Sequence, residues 1–327
     1  MANIGVRSPY FIYYEQTGVN PTSGLGASYA TLTIYSNLTV LYSVTKYTGT
    51  EFLLDIGELV RDFVQPYYTG TIDVAGSARY PFNYSLQFYT SEGDTVGDPF
   101  TADHFALDGY NYFSEGNATG STNESGFIIP NSTVLLSGPV IWYPENTSGR
   151  FIYVNSTGSL TAQLFGAQDS EITMFEGTEN ETTIYIRRLN CSKYNANKLV
   201  FINKFGVLQE MWFTAKSTEA IEVSSDNYKS GFVSNNGAIN RFRHQRVDYN
   251  KNGQISYVLN TTYICEGVTR YIQELLLSER VWLQLNGDFY PVSVTTSSVQ
   301  YKNSVNDKLV NYTIEVEQAN DLISTVR

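Results

Sequence analysis

The sequence has 327 residues, of which 26 are tyrosine and 18 phenylalanine, but only two are histidine and two cysteine. Side chains for histidine-dependent, thiol or zinc chemistry are therefore scarce, whereas aromatic residues favour β-strands and contact surfaces. The formal net charge of -11 repels phosphate backbones and argues against nucleic acid as the main partner. We expect a β-rich protein whose role is contact, and any catalysis would have to use carboxylates.

A chain of this length is expected to form about two domains. The N-terminal run MANIGVRSPYFIYYEQ has no basic stretch followed by a long apolar one, and no later apolar run reaches membrane-spanning length. We therefore expect a protein made in the cytosol without a signal peptide. Asn-x-Ser/Thr triplets are dense, and we interpret them as a product of the Asn-, Ser- and Thr-rich composition rather than as glycosylation sites.

The two cysteines, Cys191 and Cys265, could form one disulfide bond. Their spacing matches neither a disulfide framework nor a Cys-x-x-Cys metal site. We expect both to be small, buried thiols.

Residues 1–110 are predicted to form an N-terminal β-rich domain. Strand patterns cover residues 10–14, 30–35 and 38–47, and the linking residues are typical of turns. In the run EFLLDIGELVRDFVQPYY, apolar residues recur at helical spacing from Phe52 to Phe63. The pattern predicts one amphipathic helix in this domain.

Residues 111–160 are predicted to be a loop-rich insertion or a connection between domains. The segment contains NYFSEGNATGSTNESG, in which small polar residues surround short apolar pieces. Residues 116–126 have too little apolar content to fold alone, so we expect them to be exposed and mobile.

Residues 161–327 are predicted to form a C-terminal β-rich domain. Two apolar runs, 199–203 and 207–213, flank Lys-Phe-Gly and predict a hairpin. The pairs at 252–253 and 286–287 are both Asn-Gly and predict tight turns between strands. The alternation at 310–316 predicts a last strand with one buried and one wet face.

A second amphipathic helix is predicted in EGVTRYIQELLLSER. Its apolar positions include Tyr271, Ile272 and Leu275, while Glu274 falls on the polar side. The expected fold class is therefore mainly β, with two β-sandwich-like domains, each with one amphipathic helix, joined by the loop-rich insertion.

One weak calcium candidate consists of Asp248, Asn250 and Asn252, which are followed by Gly253. Oxygen side chains at alternate positions before a glycine are typical of the opening of a calcium loop. Leu259, however, stands where that loop needs a bidentate glutamate, and a hairpin with an Asn-Gly turn explains the pattern at least as well.

His104 lies among four aspartates, Asp94, Asp98, Asp103 and Asp108. These carboxylates could gather around a hard cation. We favour a solvated acidic loop, because carboxylates are mostly exposed in proteins.

Motifs for common enzyme classes are absent from the sequence: there is no G-x-S-x-G, H-E-x-x-H, P-loop or dinucleotide glycine pattern. Carboxylate-driven glycoside hydrolysis is the enzyme class that the composition leaves open, but no spacing selects a carboxylate pair. We therefore predict a protein that is not an enzyme and needs no cofactor.

Two groups of residues are predicted to meet partners. Trp142 and Tyr143 adjoin the polar loop PENTSG, and could form a platform for a ligand such as a sugar. Arg241, Arg243 and Arg246 form a basic cluster in NRFRHQR. In so acidic a protein we favour pairing of this cluster with carboxylates of a neighbouring subunit over binding of phosphates.

Several sequence blocks resemble structural proteins of tailed bacteriophages. They are RSPYFIYYE at the start, FINKFGVLQEMWFTAKSTEAIEV with NYKS after it, and SERVWLQL with NDKLVNYTIEVEQANDLI near the end. The resemblance leaves out the loop-rich insertion, and it implies no catalytic residues.

Such a resemblance implies a tail or baseplate component, built from β-sandwich modules that assemble as a symmetric ring. Its expected partners are copies of itself and other tail proteins, and its expected location is the virion, assembled in the host cytoplasm. The alternatives are a neck or head-decoration protein, or a carbohydrate- or receptor-binding module of a virion.

Overall fold

The structure is a computed structural model. It describes residues 2–15, 27–47, 51–119, 123–174, 182–189, 193–231, 233, 237–239, 241–264, 268–301 and 310–324. The predicted mainly-β fold class is confirmed. Cys191 and Cys265 lie outside the described residues, so the expectation of buried thiols stays a prediction. In the described part of the chain, no helix is long and apolar enough to cross a membrane.

The chain divides into two compact units. The first consists of Met1–Cys191, Val200–Met211 and Gly267–Glu279, and the second of Ser192–Leu199, Trp212–Glu266 and Arg280–Arg327. Residues 111–160, which the sequence suggests as a connection, belong wholly to the first unit.

The first unit contains most of the strands. They are β1 (Ala2–Gly5), β2 (Phe11–Glu15), β3 (Tyr29–Ser36), β4 (Thr39–Tyr47), β5 (Glu51–Asp55), β6 (Tyr80–Tyr89), β7 (Thr95–Leu107), β8 (Ala118–Thr119), β9 (Glu124–Ile129), β10 (Thr133–Val134), β11 (Val140–Pro144), β12 (Gly149–Val154), β13 (Leu160–Phe165), β14 (Ser170–Met174) and β15 (Thr182–Leu189). Its helices are α1 (Gly57–Arg61) and α2 (Thr269–Leu277), with 3-10 turns at Ala75–Ser77 and Phe113–Glu115.

The remaining strands belong wholly or partly to the second unit. They are β16 (Asn197–Ile202), β17 (Leu208–Phe213), β18 (Thr218–Lys229), β19 (Arg246–Asn260), β20 (Val281–Leu285), β21 (Asp288–Val294) and β22 (Thr313–Gln318). The boundary between the units passes through β16 and β17.

A large sheet with the strand order β4-β3-β6-β7-β1-β9-β2-β5 forms the centre of the first unit, and β8 pairs with β9. Alternate residues of each strand face inwards, as in β3, where Ala30, Leu32 and Ile34 are buried. The ring of Tyr14 on β2 lies 4.6 Å from that of Phe88 on β6, between centroids. The sheet therefore curls so that its two ends cover one apolar core.

The predicted helix at EFLLDIGELVRDFVQPYY is mostly wrong. Its first residues form β5, which pairs with β2 so that Phe52 lies opposite Tyr14 in the core, and only α1 is helical. A short apolar run does not distinguish strand from helix, and here pairing with β2 decides the outcome. Asp55 then fixes the turn, because its Oδ1 accepts hydrogen bonds from the backbone N–H groups of Gly57 and Tyr10, both at 2.9 Å.

The predicted helix near Thr269 is confirmed as α2, and Tyr271, Ile272 and Leu275 are buried as expected. Glu274 is an exception, because it is buried instead of lying on a solvated polar side. Both helices belong to the first unit.

The second unit is an antiparallel sheet in which β20, β21, β22, β19 and β18 are neighbours in that order. The predicted Asn-Gly turn at 286–287 is confirmed: it joins β20 to β21, with positive φ angles of 51° and 99°. The predicted turn at 252–253 is wrong, because both residues lie inside β19 and pair with β18. In β22, Ile314 and Val316 are buried as the alternation predicts.

Candidate functional site

A buried polar cluster lies inside the curled sheet of the first unit. Tyr10 precedes β2, Tyr84 lies on β6, His104 on β7, and Glu124 begins β9. Strand alternation turns all four side chains towards the core, where His104 is 5% exposed and Glu124 is 2% exposed. The expectation that His104 lies in a solvated acidic loop is therefore wrong, because its segment is a strand whose inner face is buried.

Three donors surround the Glu124 carboxylate. Oε1 accepts from the Tyr84 hydroxyl at 2.6 Å and contacts His104 Nε2 at 2.9 Å, and Oε2 accepts from the Tyr10 hydroxyl at 3.0 Å. Burial alone would raise the pKa of Glu124, but the hydrogen bonds from His104, Tyr84 and Tyr10 and the charge of His104 outweigh it and lower the pKa to about 2. Glu124 is thus a paired carboxylate.

A groove of about 610 Å³ adjoins this cluster. Its lining includes His104 and Glu124, with Ala2 and Ile128 on the same inner face. The Nδ1 atom of His104 is buried and has no hydrogen-bond partner among the described residues. The three donors occupy the carboxylate oxygens of Glu124, so the cluster ties β2, β6, β7 and β9 together.

The four aspartates around His104 do not act as one group. Asp94 and Asp98 are exposed, as is Asp103 on β7 beside His104. Asp108 is buried and lies 3.7 Å from Arg61 Nε. Among the described residues, no three His, Cys, Asp or Glu side chains gather as a metal site would require.

A second buried polar cluster surrounds Glu274 on α2. Its Oε2 accepts hydrogen bonds from the Ser137 hydroxyl at 2.7 Å and from the backbone N–H of Lys204 at 2.9 Å. Gln209 joins the same cluster, because its Oε1 accepts a hydrogen bond from the backbone N–H of Ser137 at 3.1 Å. Burial raises the pKa of Glu274, and the two hydrogen bonds only partly offset that effect.

The predicted platform at Trp142 and Tyr143 is divided between surface and core. Trp142 is half-buried on β11, at the edge of a three-stranded sheet with the order β11-β15-β14. Tyr143 is 1% exposed, donates its hydroxyl hydrogen to Glu210, and packs edge-on against Phe165 with 4.6 Å between ring centroids. Because neighbouring strand residues face opposite sides, Tyr143 is a core residue and not part of a platform.

The calcium candidates lie in β19 and not in a loop. Asp248 Oδ2 is 2.9 Å from Lys251 Nζ, Asn250 Nδ2 donates to Asp226 at 3.1 Å, and Asn252 Nδ2 donates to Asp321 at 3.0 Å. Each side chain therefore already has a protein partner. Calcium binding by these three residues stays a prediction, which a calorimetric titration with calcium would test.

The most exposed element of the second unit is the hairpin of β18 and β19. Every residue of β18 is exposed, including Ile221 at 57%, Val223 at 63% and Tyr228 at 52%. Strand β18 ends the sheet order, so one of its edges is not paired within the described chain. Long, apolar edge strands favour pairing or packing with another chain.

The basic cluster lies at the end of this hairpin. The hairpin continues past its strands, because Ser230 N–H donates to Gln245 O at 2.6 Å and Val233 forms a bridge with Ile239. Arg241 and Arg243 follow this bridge in the chain, and Arg246 begins β19 opposite Lys229. All three side chains are exposed, and none of them forms an ion pair with a carboxylate of the described chain. The prediction that this cluster meets a partner stays open.

A shallow acidic groove lies on the same sheet, away from the basic end. Its volume is about 270 Å³, and it is lined by Glu222 of β18 and by Glu315 and Glu317 of β22. These three side chains share one face, because Glu222 lies opposite Gln254, Glu315 opposite Val258, and Glu317 opposite Ser256 in the β19 register. No Lys or Arg is among the lining residues, so the groove is negative. Sequence reasoning missed it, because three strands must pair before these carboxylates meet.

Comparison with protein-family models gives no match, and comparison with curated proteins gives none either.

Proposed function

We propose that the chain is a non-enzymatic structural protein of a tailed-phage virion. It is a tail or baseplate component that assembles with copies of itself into a symmetric ring and contacts other tail proteins. The resemblance of its opening and C-terminal blocks to phage structural proteins supports the virion setting.

The exposed hairpin carries the assembly part of the proposal. Within the described chain, only residues 256–260 of β19 pair with β22, so the outer part of the hairpin is a two-stranded ladder. Such a ladder is marginally stable in water, and strands normally bury one face. Yet β18 exposes both faces over all 12 residues, apolar side chains included. A partner that covers this hairpin would remove the exposed apolar area from water.

The buried clusters fit a structural role. The donors around Glu124 and Glu274 are hydrogen-bonded to carboxylates that link separate strands and segments of the first unit. Such networks favour one rigid packing of the core. A rigidly packed core suits a ring subunit, because its contacts can then repeat identically around the ring.

Imaging of the purified full-length chain by negative-stain electron microscopy tests the assembly, with sedimentation velocity over a concentration series beside it. Rings or tubes are expected at high concentration. A monomer at every concentration would overturn the proposal. Mass spectrometry of purified virions tests the location, since a virion component is present there in fixed stoichiometry and a non-virion protein is not.

A carbohydrate- or receptor-binding module is the alternative, and the half-buried ring of Trp142 on an edge strand favours it. Aromatic rings on a surface can stack on sugars. Glycan-array binding that Trp142→Ala abolishes would support this alternative, and silence of the wild-type chain across host glycans would exclude it.

A further inference from the structure

We infer that the basic end of the β18–β19 hairpin docks into the acidic groove of the second unit of a neighbouring copy of this chain. The inference rests on the proposed assembly and names the two surfaces that join one copy to the next. The basic end is defined here by Lys229, Arg241, Arg243 and Arg246, and the acidic groove as the face around Glu222, Glu315 and Glu317.

The basic end is cationic in an otherwise acidic protein. Residues 229–246 contain four Lys or Arg residues, Lys229, Arg241, Arg243 and Arg246, and no Asp or Glu, whereas the whole chain has a net charge of -11. Asp248, the next carboxylate along β19, pairs with Lys251 at 2.9 Å, and the charge of Arg246 also acts on it. The exposed arginines of the hairpin end therefore have charge to offer to another molecule.

The acidic groove has the complementary properties. Glu222 and Glu315 are exposed and Glu317 is half-buried, and none of the three forms an ion pair with a described Lys or Arg. The groove is too small for a typical drug-sized ligand but has room for side chains. Arginine suits such a site, because its planar guanidinium binds carboxylates with two parallel hydrogen bonds.

The two surfaces of one copy are kept apart by the hairpin itself. Glu222 and Lys229 are seven positions apart along β18, which corresponds to about 23 Å at about 3.3 Å per residue. The hairpin continues beyond Lys229 through the bridge between Val233 and Ile239, so the basic end extends further from the groove. A second copy is therefore the partner that brings the two surfaces together.

The charge pattern also selects the kind of interface. Two β18 strands paired edge to edge would bring Glu219, Glu222 and Asp226 of one copy near those of the other, and like charges across strands are unfavourable. A basic end on an acidic groove uses different patches on the two copies, which is a head-to-tail contact. Repeated head-to-tail contacts close into a ring when the rotation between copies allows it.

Charge reversal at each surface tests the inference. The first variant carries Arg241→Glu, Arg243→Glu and Arg246→Glu, and the second carries Glu222→Lys, Glu315→Lys and Glu317→Lys. Each alone is expected to weaken self-association about 100-fold in sedimentation velocity, because like charges then meet at the contact. An equimolar mixture of the two is expected to recover association, since each contact then joins opposite charges again.

Controls separate these effects from damage to the fold. Arg150→Glu and Glu92→Lys reverse exposed charges in the first unit and are expected to leave association unchanged. The positions of both triple variants are largely solvent-exposed, so their unfolding midpoints are expected to match the wild type. If a triple variant fails to fold, glutamine at the same positions replaces it: glutamine has the size of glutamate, and at the arginine positions it removes the charge with a shorter polar side chain.

Three results would overturn the inference in different ways. Wild-type association that neither variant weakens would show that other surfaces join the copies, and the proposed ring would stand. A wild-type monomer at every concentration would overturn both the inference and the proposed assembly. Salt-sensitive retention on duplex DNA that the arginine variant loses, with association unchanged, would assign the basic end to phosphates instead.

Discussion

Charged side chains have opposite environments in the buried cluster at Glu124 and in the exposed hairpin of the second unit. Inside the first unit, Glu124 is surrounded by donors from three other elements and is withdrawn from water. On the hairpin, Arg241, Arg243 and Arg246 are exposed and form no ion pair with a described carboxylate. The hydrogen-bonded carboxylate of Glu124 stabilises its own chain. The exposed guanidinium groups can instead bind carboxylates of a second chain.

Glu124→Ala tests the buried cluster and is expected to have the largest effect on the free energy of unfolding. The substitution leaves two hydroxyls and His104 buried without their acceptor, which costs about 3–5 kcal/mol in the free energy of unfolding. Urea denaturation of the first unit, followed by tyrosine fluorescence, measures the loss. The matched control is Glu92→Ala at an exposed position, which should change stability by less than about 0.5 kcal/mol. A loss below about 1 kcal/mol for Glu124→Ala would contradict the role of the cluster.

The loss of stability in acid is a second test of the buried cluster at Glu124. The pKa of Glu124 in the folded protein is about 2, below its unfolded value, so the unfolded state binds more protons between the two. The stabilisation is therefore present above about pH 5 and is lost as the pH falls towards about 2, by on the order of 3 kcal/mol. Glu124→Gln should flatten this part of the stability profile. An unchanged acid slope in that variant would contradict the assignment.

Glu274 provides a buried carboxylate with the opposite shift. Its pKa is raised by burial, so its contribution is fully present below the unfolded pKa of about 4.3 and is lost as the pH rises through the folded value. Relative to the wild type, Glu274→Gln should therefore become more stable as the pH rises from the unfolded pKa of about 4.3 towards neutral. Paired urea titrations across that range measure the change, and a relative stability that is flat or falls would contradict it.

Ile221→Ser tests the exposed side and has the smallest expected effect on stability. Ile221 is 57% exposed, so the free energy of unfolding should change by less than about 0.5 kcal/mol. Self-association should weaken all the same, because the substitution removes apolar area from the hairpin that a partner covers. Leu164→Ser, at a 61% exposed apolar position of the first unit, is the matched control and should leave association unchanged. A large loss of stability would show that Ile221 packs inside its own chain.

The sequence predicts local features whose signals are complete within a few residues. The Asn-Gly turn at 286–287 and the helix α2 are confirmed, because turn chemistry and a full amphipathic period act locally. The run after Glu51 was predicted as a helix but is mostly β5, since pairing with a strand some 40 residues earlier decides its structure. The Asn-Gly pair at 252–253 likewise lies within a strand, because β18 pairs along its whole length.

The candidate sites, too, are predictable from sequence only where their residues are neighbours in the chain. The basic residues Arg241, Arg243 and Arg246 are recognisable from sequence, because they are neighbours in the chain. Glu124 and His104 are 20 residues apart, and only the fold brings them to 2.9 Å. One sequence signal was available for His104, since Ala102, His104 and Ala106 alternate with outward-facing residues as a strand does. The acidic groove depends on the register of three strands, which no local pattern determines.

Hydrogen–deuterium exchange across β18 tests most directly whether the hairpin is an assembly surface. The amides of Thr218–Lys229 are compared between the concentrated wild-type protein and the dissociated variant in which Arg241, Arg243 and Arg246 are replaced by glutamate. Exchange is expected to be slower in the concentrated wild type around Glu222, Glu315 and Glu317 of the acidic groove and at Lys229 of the basic end, because a neighbouring copy covers both surfaces. Equal exchange of these amides in the two samples would contradict the account.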